Sequence, residues 1–274
     1  MILQKFISTL FAPGVLLFNN LDYIKIIPQN PVENIIKLTR ENSGIDDMVT
    51  NNNIFFFGET HNVIDDKVQL EIFLDHVRDI DKEGKIFLGL EMVSSDKQFI
   101  LDKFNTGKID SNHLMNDLDW DNSWRYLKEG YQLVFDNARH NHIELIGLNS
   151  PEHVTEMFKD GLKFNKNYIQ KENLISFLET IREYHNIADR KTITKYYNIN
   201  LMWETWMASE IENYLRIFPD SKIIVFTGEQ HSKYSGIPTV LNKVFPNKFD
   251  FINITPNTDK EYFGMIIAEK KKLI

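Results

Sequence analysis

Cysteine is absent from the 274-residue chain. Its absence excludes disulfides, thiolate nucleophiles, zinc–thiolate sites and iron–sulfur clusters, and leaves no cysteine for a lipid anchor. Glycine and proline are sparse, at 12 and 8, which excludes collagen-like and Pro/Gly-rich low-complexity chains. Positive charge is in deficit: 31 Lys and Arg face 39 Asp and Glu, for a formal net charge of −8. That balance argues against a nucleic-acid groove. Long apolar runs are missing as well. Residues 6–18 are the strongest candidate, but Ala12-Pro13-Gly14 interrupts them, and they fall short of the roughly 20 apolar residues of a spanning helix. With Lys5 ahead of it, this stretch has the layout of a secretory signal but no small-x-small cleavage site before Asn19-Asn20. Residues 1–44 are therefore expected to form an N-terminal arm. The cytoplasm is the favoured compartment, with export under an atypical signal as the alternative.

What the chain does contain is an ordinary globular composition, 42% apolar and 26% charged. A chain of this size buries roughly 75% of its unfolded surface and needs no covalent staple. There is no internal repeat. Short apolar runs at 54–57, 85–90, 143–148 and 222–227 each lead into polar residues, the pattern of strands buried on both faces. Helical spacing separates them. Leu70, Phe73, Leu74 and Val77 share a face of a helix expected to stop at Gly84; 124–141 places Leu127, Tyr131 and Phe135 on one side; 201–218 turns Met202, Trp206 and Leu215 inward ahead of Pro219. This alternation predicts an α/β fold with a mostly parallel sheet flanked by helices. Residues 249–255 and 262–268 read as an antiparallel edge pair. The polar stretch 151–200 carries no convincing strand and is expected to form a smaller helical cap within a single 45–274 domain.

In open parallel sheets, ligands bind beyond the carboxyl ends of the strands. There this sequence gathers Glu59 and His61, Glu91, Asn149, and Glu229 and His231. The pattern Gly-Glu-x-His occurs twice, at 58–61 and 228–231, each time at a predicted strand end. Two imidazoles and several carboxylates at one sheet end suit a divalent metal, or a general acid/base pair acting on water. Other histidines read as surface or isolated residues, His140 and His142 among them. The paired Trp120/Trp124 and Trp203/Trp206 read as core, with a cleft wall as the alternative. The chain has no His-Glu-x-x-His, Walker A or Gly-x-Ser-x-Gly sequence and no Gly-rich dinucleotide turn, which argues against zincin, P-loop, serine-esterase and Rossmann-cofactor chemistry.

Phe-Gly-Glu-Thr-His (57–61), Leu-Gly-Leu-Glu-Met (88–92), Ile-Gly-Leu-Asn-Ser-Pro (146–151), Trp-Met-Ala (206–208) and Gly-Glu-Gln-His-x-x-Tyr-x-Gly-Ile-Pro (228–238) follow one another in this order. Together they resemble the ChaN-like proteins of the Tiki/TraB/erythromycin-esterase-like superfamily, from about residue 45 to 255. The resemblance implies a parallel α/β core with a smaller helical domain. It also implies two rival functions: haem binding and iron uptake, or hydrolysis of peptides or esters. Glu59, His61, Glu91 and His231 would be the catalytic positions. Tyr234 and His231 would be the haem ligands, because tyrosine can serve as an axial ligand. In a metal-dependent hydrolase, His61, Glu91 and His231 would hold Mn²⁺, Co²⁺ or Zn²⁺, with Glu59 as general base. Without a metal, His61 or Glu59 would activate water and His231 would stabilise developing charge. The stretch 62–67 lacks the further His often found there in the family. Asp65 and Asp66 read as helix N-capping residues, with hard oxygen ligation as the alternative. Expected partners are haem or a small-molecule or peptide substrate, with neither nucleic acid nor a transmembrane segment and with a homodimer as the assembly to test. A binding module without cofactor is the third reading.

Overall fold

The computed structural model describes residues 43–164, 171–181, 189–244, 251–257 and 264–269. The expected N-terminal arm lies outside these residues apart from Ser43 and Gly44, which open α1 (Ser43–Asn51). The first apolar run becomes β1 (Ile54–Glu59), followed by α2 (Ile64–Ile80) and β2 (Ile86–Ser94). Short helices α3 (Gln98–Asn105), α4 (Ser111–Asp117) and α5 (Trp120–Ser123) precede α6 (Lys128–His140) and β3 (Glu144–Asn149). Beyond β3 come α7 (Glu152–Lys159), α8 (Lys171–Thr180) and the 28-residue α9 (Arg190–Ile217). The chain then returns as β4 (Lys222–Gly228), α10 (Glu229–Ser232), α11 (Ile237–Val244), β5 (Phe251–Asn257) and β6 (Gly264–Glu269).

Strand order is β3-β2-β4-β1-β5-β6, with the first five strands parallel and β6 antiparallel to β5 at the edge. The α/β expectation and the antiparallel edge pair both stand. Successive side chains of a strand point to opposite faces, and β1 and β4 obey this. Phe55, Phe57, Ile224 and Phe226 enter a core beneath α2 and α6, whereas Ile54, Phe56, Ile223 and Val225 enter a second core beneath α7, α9 and α11. Each such residue, fully buried, contributes on the order of 1.5–3 kcal/mol. Because both faces are covered, the strands read as continuous apolar runs.

Three expectations about helices are corrected. No single helix covers 124–141: Arg125 adopts a left-handed backbone with φ 69°, which ends α5 and delays α6 to Lys128. Leu127 accordingly precedes α6 and is half-exposed, while Tyr131 and Phe135 are buried as expected. The helix expected over 201–218 begins at Arg190, where the Asp189 side chain accepts the Thr192 N–H at 2.9 Å as N-cap. Its Met202 and Leu215 are buried, but Trp206 is only partly so. Gly84 does not stop α2, which ends at Ile80; its N–H instead closes a turn onto the Asp81 side chain at 3.0 Å.

Candidate functional site

β1, β4 and β2 are neighbours in the sheet, and β4 fills the gap that the chain left when it crossed from β1 to β2. Their carboxyl ends therefore meet at a switch in strand order, the place where open sheets hold ligands. Gly58 sits at the end of β1 because a side chain there would strike α10: a Cβ would lie 2.1 Å from Ser232 Oγ. That absence lets α10 bring His231 against the sheet.

Glu59 ends β1 and is buried. Its carboxylate accepts the Tyr131 hydroxyl, pairs with the Lys67 ammonium, and faces His61 Nδ1 at 2.8 Å. Lys67 has no exposed surface; its Nζ also donates to the carbonyls of Thr60 at 3.1 Å and His61 at 2.7 Å. Burial first, and then the Glu59 charge, push the Tyr131 hydroxyl above its ordinary range and keep it a donor. An ionised carboxylate only accepts, so the His61 Nδ1 that faces Glu59 is the donor of that contact. The His61 ring is held edge-on by Trp124 at 5.0 Å and against Tyr126 at 4.6 Å. Those two aromatics lie in the break between α5 and α6. On its open side His61 faces Gly228, where a Cβ would come within 3.2 Å of Nε2 and 3.7 Å of Glu91 Oε2.

Glu91 lies inside β2, where the register against β3 shifts between Leu90 and Ser94. Such irregularities re-aim side chains near functional sites. Asn149 fixes this one by donating to the Glu91 carbonyl at 2.9 Å. The Glu91 side chain accepts the Gly228 N–H at 2.6 Å and faces His231 Nε2 at 3.4 Å. The other ring nitrogen, Nδ1, faces Glu204 at 3.2 Å. Burial alone would raise the Glu91 carboxyl, but the neighbouring His231 and His61 rings and the Gly228 N–H hold it below the usual carboxylate range. Burial likewise opposes the His231 cation, yet Glu91 and Glu204 outweigh it and push its pKa up to about 9. His231 is therefore an imidazolium at neutral pH, clamped between two carboxylates. Both sets open on a cavity of about 380 Å³. Its floor is Glu59, His61, Glu91, Glu204 and His231, and its walls come from α8 and α9.

A family model described as haem-binding uptake, Tiki superfamily, ChaN matches residues 46–241. The chain belongs to this family. A solved structure of ChaN of Campylobacter jejuni, titled for cofacial heme binding, is 18% identical; the match covers 82% of this chain and 92% of that one, with a TM-score of 0.67. RRSP, a MARTX toxin effector domain from Vibrio vulnificus CMCP6, is 14% identical over 84% of this chain and 38% of its own, with a TM-score of 0.47. An open-form erythromycin esterase mutant is 10% identical over 82% and 78%, with a TM-score of 0.49. No curated protein matches in sequence.

In this ChaN-family chain, four of the five expected site residues converge on the cavity and the fifth does not. Glu59, His61, Glu91 and His231 line it. Tyr234 is 37% exposed, stacks on Phe251 with ring centroids 6.3 Å apart, and stands outside the lining. The two Gly-Glu-x-His motifs are not equivalent. Glu59 orients its own His61, whereas Glu229 pairs with Lys233 at 2.8 Å and leaves His231 to Glu91 and Glu204. Nor do His61, Glu91 and His231 assemble as ion ligands: among the described residues, no group of three or more His, Asp or Glu is arranged to hold a metal ion. Both His231 nitrogens face carboxylates and Glu91 is tied to Gly228, which accounts for it. The N-cap of α2 is Val63, not Asp65 or Asp66. The Asp66 side chain instead accepts the Thr60 N–H at 2.6 Å, and burial raises its carboxyl. Trp203 lines the cavity above His231, with ring centroids 6.5 Å apart, while Trp120 is core.

Sequence reasoning missed Glu204, Lys67 and Tyr131. Each occupies an inward position of an apolar helical stripe: Glu204 with Leu201, Ala208 and Ile211; Lys67 with Leu70, Leu74 and Val77; Tyr131 with Val134, Phe135 and Ala138. A charge in such a stripe is the signal that would have exposed the first two. Among the described residues no helix is long and apolar enough to cross a membrane.

Proposed function

We propose that this protein binds haem on its outer face, with the Tyr234 phenol as axial ligand, in the service of haem or iron handling. The observation that carries this is the exposed Tyr234 ring seated on Phe251, just beyond the strand-end motif. Tyrosinate oxygen is an established haem ligand, and when bound the group would supply redox and ligand-exchange chemistry at its iron. His231 suits the role less well, since each of its nitrogens already faces a carboxylate. The acidic cavity floor also repels the two propionates of a haem. Family membership supports the ligand class, and the cofacial haem named for the Campylobacter jejuni protein favours a pair of copies meeting across this face. The test is hemin titration by absorbance on the full chain. Wild type should give a saturable Soret shift, Tyr234→Phe should weaken binding at least tenfold, and His231→Gln should leave it intact. Loss of binding in His231→Gln with full binding in Tyr234→Phe would overturn the assignment.

A second reading concerns the cavity, where the Glu59–His61 pair favours acid–base hydrolysis. There His61 Nε2 would take the proton of a water as its oxygen attacks an ester or amide carbonyl. His61 would then return the proton to the leaving group. Glu59 would hold the tautomer, its Oε1 taking the Tyr131 hydroxyl and facing His61 Nδ1 while Lys67 pairs with its charge. Ester turnover should then vanish in His61→Gln and fall about 10²–10⁴-fold in Glu59→Gln. Turnover unchanged in His61→Gln would remove this reading.

A further inference from the structure

The cavity combines an acidic, hydrogen-bonding floor with an apolar wall, and the two halves have separate origins. The strand ends and α9 supply the carboxylates. Phe177 and Ile181 come from α8 and the residue that follows it, spaced by one turn; Ile199 and Trp203 come from α9 at the same spacing. At about 380 Å³ the space falls at the small end of ligand pockets, which run from roughly 300 to 1,000 Å³.

The charges of the floor can be counted from their pairings. Lys67 offsets Glu59, and Lys233 offsets Glu229. Glu91 and Glu204 remain, with His231 between them. With His61 neutral, the floor keeps a net negative charge whether His231 is neutral or cationic. Little water dilutes that field, because Glu91, Glu204 and His231 are all at least nine-tenths buried. A second observation points the same way. Asn173 lines the cavity and is 2% exposed; it spends its amide N–H groups on Glu204 and on the Ser235 carbonyl at 2.9 Å. Its side-chain oxygen, an acceptor, has no hydrogen-bond partner among the described residues.

We infer that this cavity is a binding site, separate from the Tyr234 face, for a small neutral or cationic amphipathic molecule, and that it rejects anions. The apolar part of the ligand lies against Trp203 and Phe177, and its hydroxyl, amide or ammonium donor points to the acidic floor. A cation there also gains from the indole face of Trp203. As a binding class this stands on the cavity alone; as a substrate class it rests on the acid–base reading.

Three probes of one skeleton test it on the full chain: 3-phenylpropylammonium, 3-phenylpropanol and 3-phenylpropionate, each titrated by calorimetry. The ammonium and the alcohol should bind saturably, with the propionate at least tenfold weaker than the ammonium. Ser176→Phe, a substitution on the cavity-facing side of α8, should abolish binding without unfolding the chain. Glu204→Gln should shrink the preference for the ammonium over the alcohol several-fold, with circular dichroism confirming its fold. Binding should also persist with hemin present. Equal binding of the propionate, absence of saturable binding by both other probes, or displacement by hemin would each overturn the proposal. Hydrolysis of 3-phenylpropyl acetate is read separately. Binding without turnover upholds the site and removes only the acid–base reading.

Discussion

Lys67 shows how much one side chain can settle. It reaches the interior on α2 with an ammonium that no water touches, and it is accommodated because Glu59 and two backbone carbonyls surround it. Removing one partner of a buried pair costs about 3–5 kcal/mol, since the other charge stays desolvated, whereas removing both costs much less. Lys67→Met should therefore lower unfolding free energy by about that amount in urea titrations, and adding Glu59→Gln should recover most of it. Losses that simply add in the double variant would mean that the two groups are not coupled. The same pair bears on chemistry, because Glu59, engaged by Tyr131 and Lys67, is placed to orient His61. Sequence alone offered Glu59 as the base beside a metal and either Glu59 or His61 without one; the contacts around Glu59 belong to the tertiary structure.

At the scale of elements, α8 is joined to the rest of the cavity wall by polar and aromatic contacts together. Its Asn173 links it to Glu204 on α9 and to the Ser235 carbonyl, and Phe177 packs edge-on to Tyr197 at 5.3 Å. Removing buried hydrogen-bonding groups costs roughly 1–3 kcal/mol per orphaned partner. Asn173→Ala should thus speed amide exchange across Lys171–Thr180 about tenfold or more while β1 and β4 keep their protection. Unchanged exchange in α8 would show that its apolar contacts alone hold it. The break between α5 and α6 makes the complementary point. Helical periodicity through 124–141 was a fair expectation from spacing. The left-handed Arg125 overrides it, and so delivers Trp124 and Tyr126 to His61.

For the whole molecule, the raised pKa of His231 couples stability to pH. The folded state binds this proton up to about 9, the unfolded state only up to about 6.5. The contribution is thus fully present below pH 6.5 and is lost as pH rises through 9. Unfolding free energy should fall by no more than about 3 kcal/mol between those limits, and His231→Gln should flatten the slope. A wild-type profile that rises over the same window would contradict the Glu91–His231–Glu204 clamp.

The sequence by itself determined the sheet, since strands covered on both faces must be apolar throughout and end abruptly where polar residues begin. It also located Glu59, His61, Glu91 and His231, because chemistry at strand ends leaves short motifs in local order. What it did not contain was the pairing of those groups. Glu204 lies 27 residues before His231, and Tyr131 lies 72 after Glu59. Both look like members of core stripes until the helices pack. Tertiary structure decided which carboxylate serves which imidazole, that Tyr234 faces outward, and that the floor is acidic. Hydrogen-bond direction and burial act between residues distant in sequence, and they become defined only when the sheet and its helices close on one another.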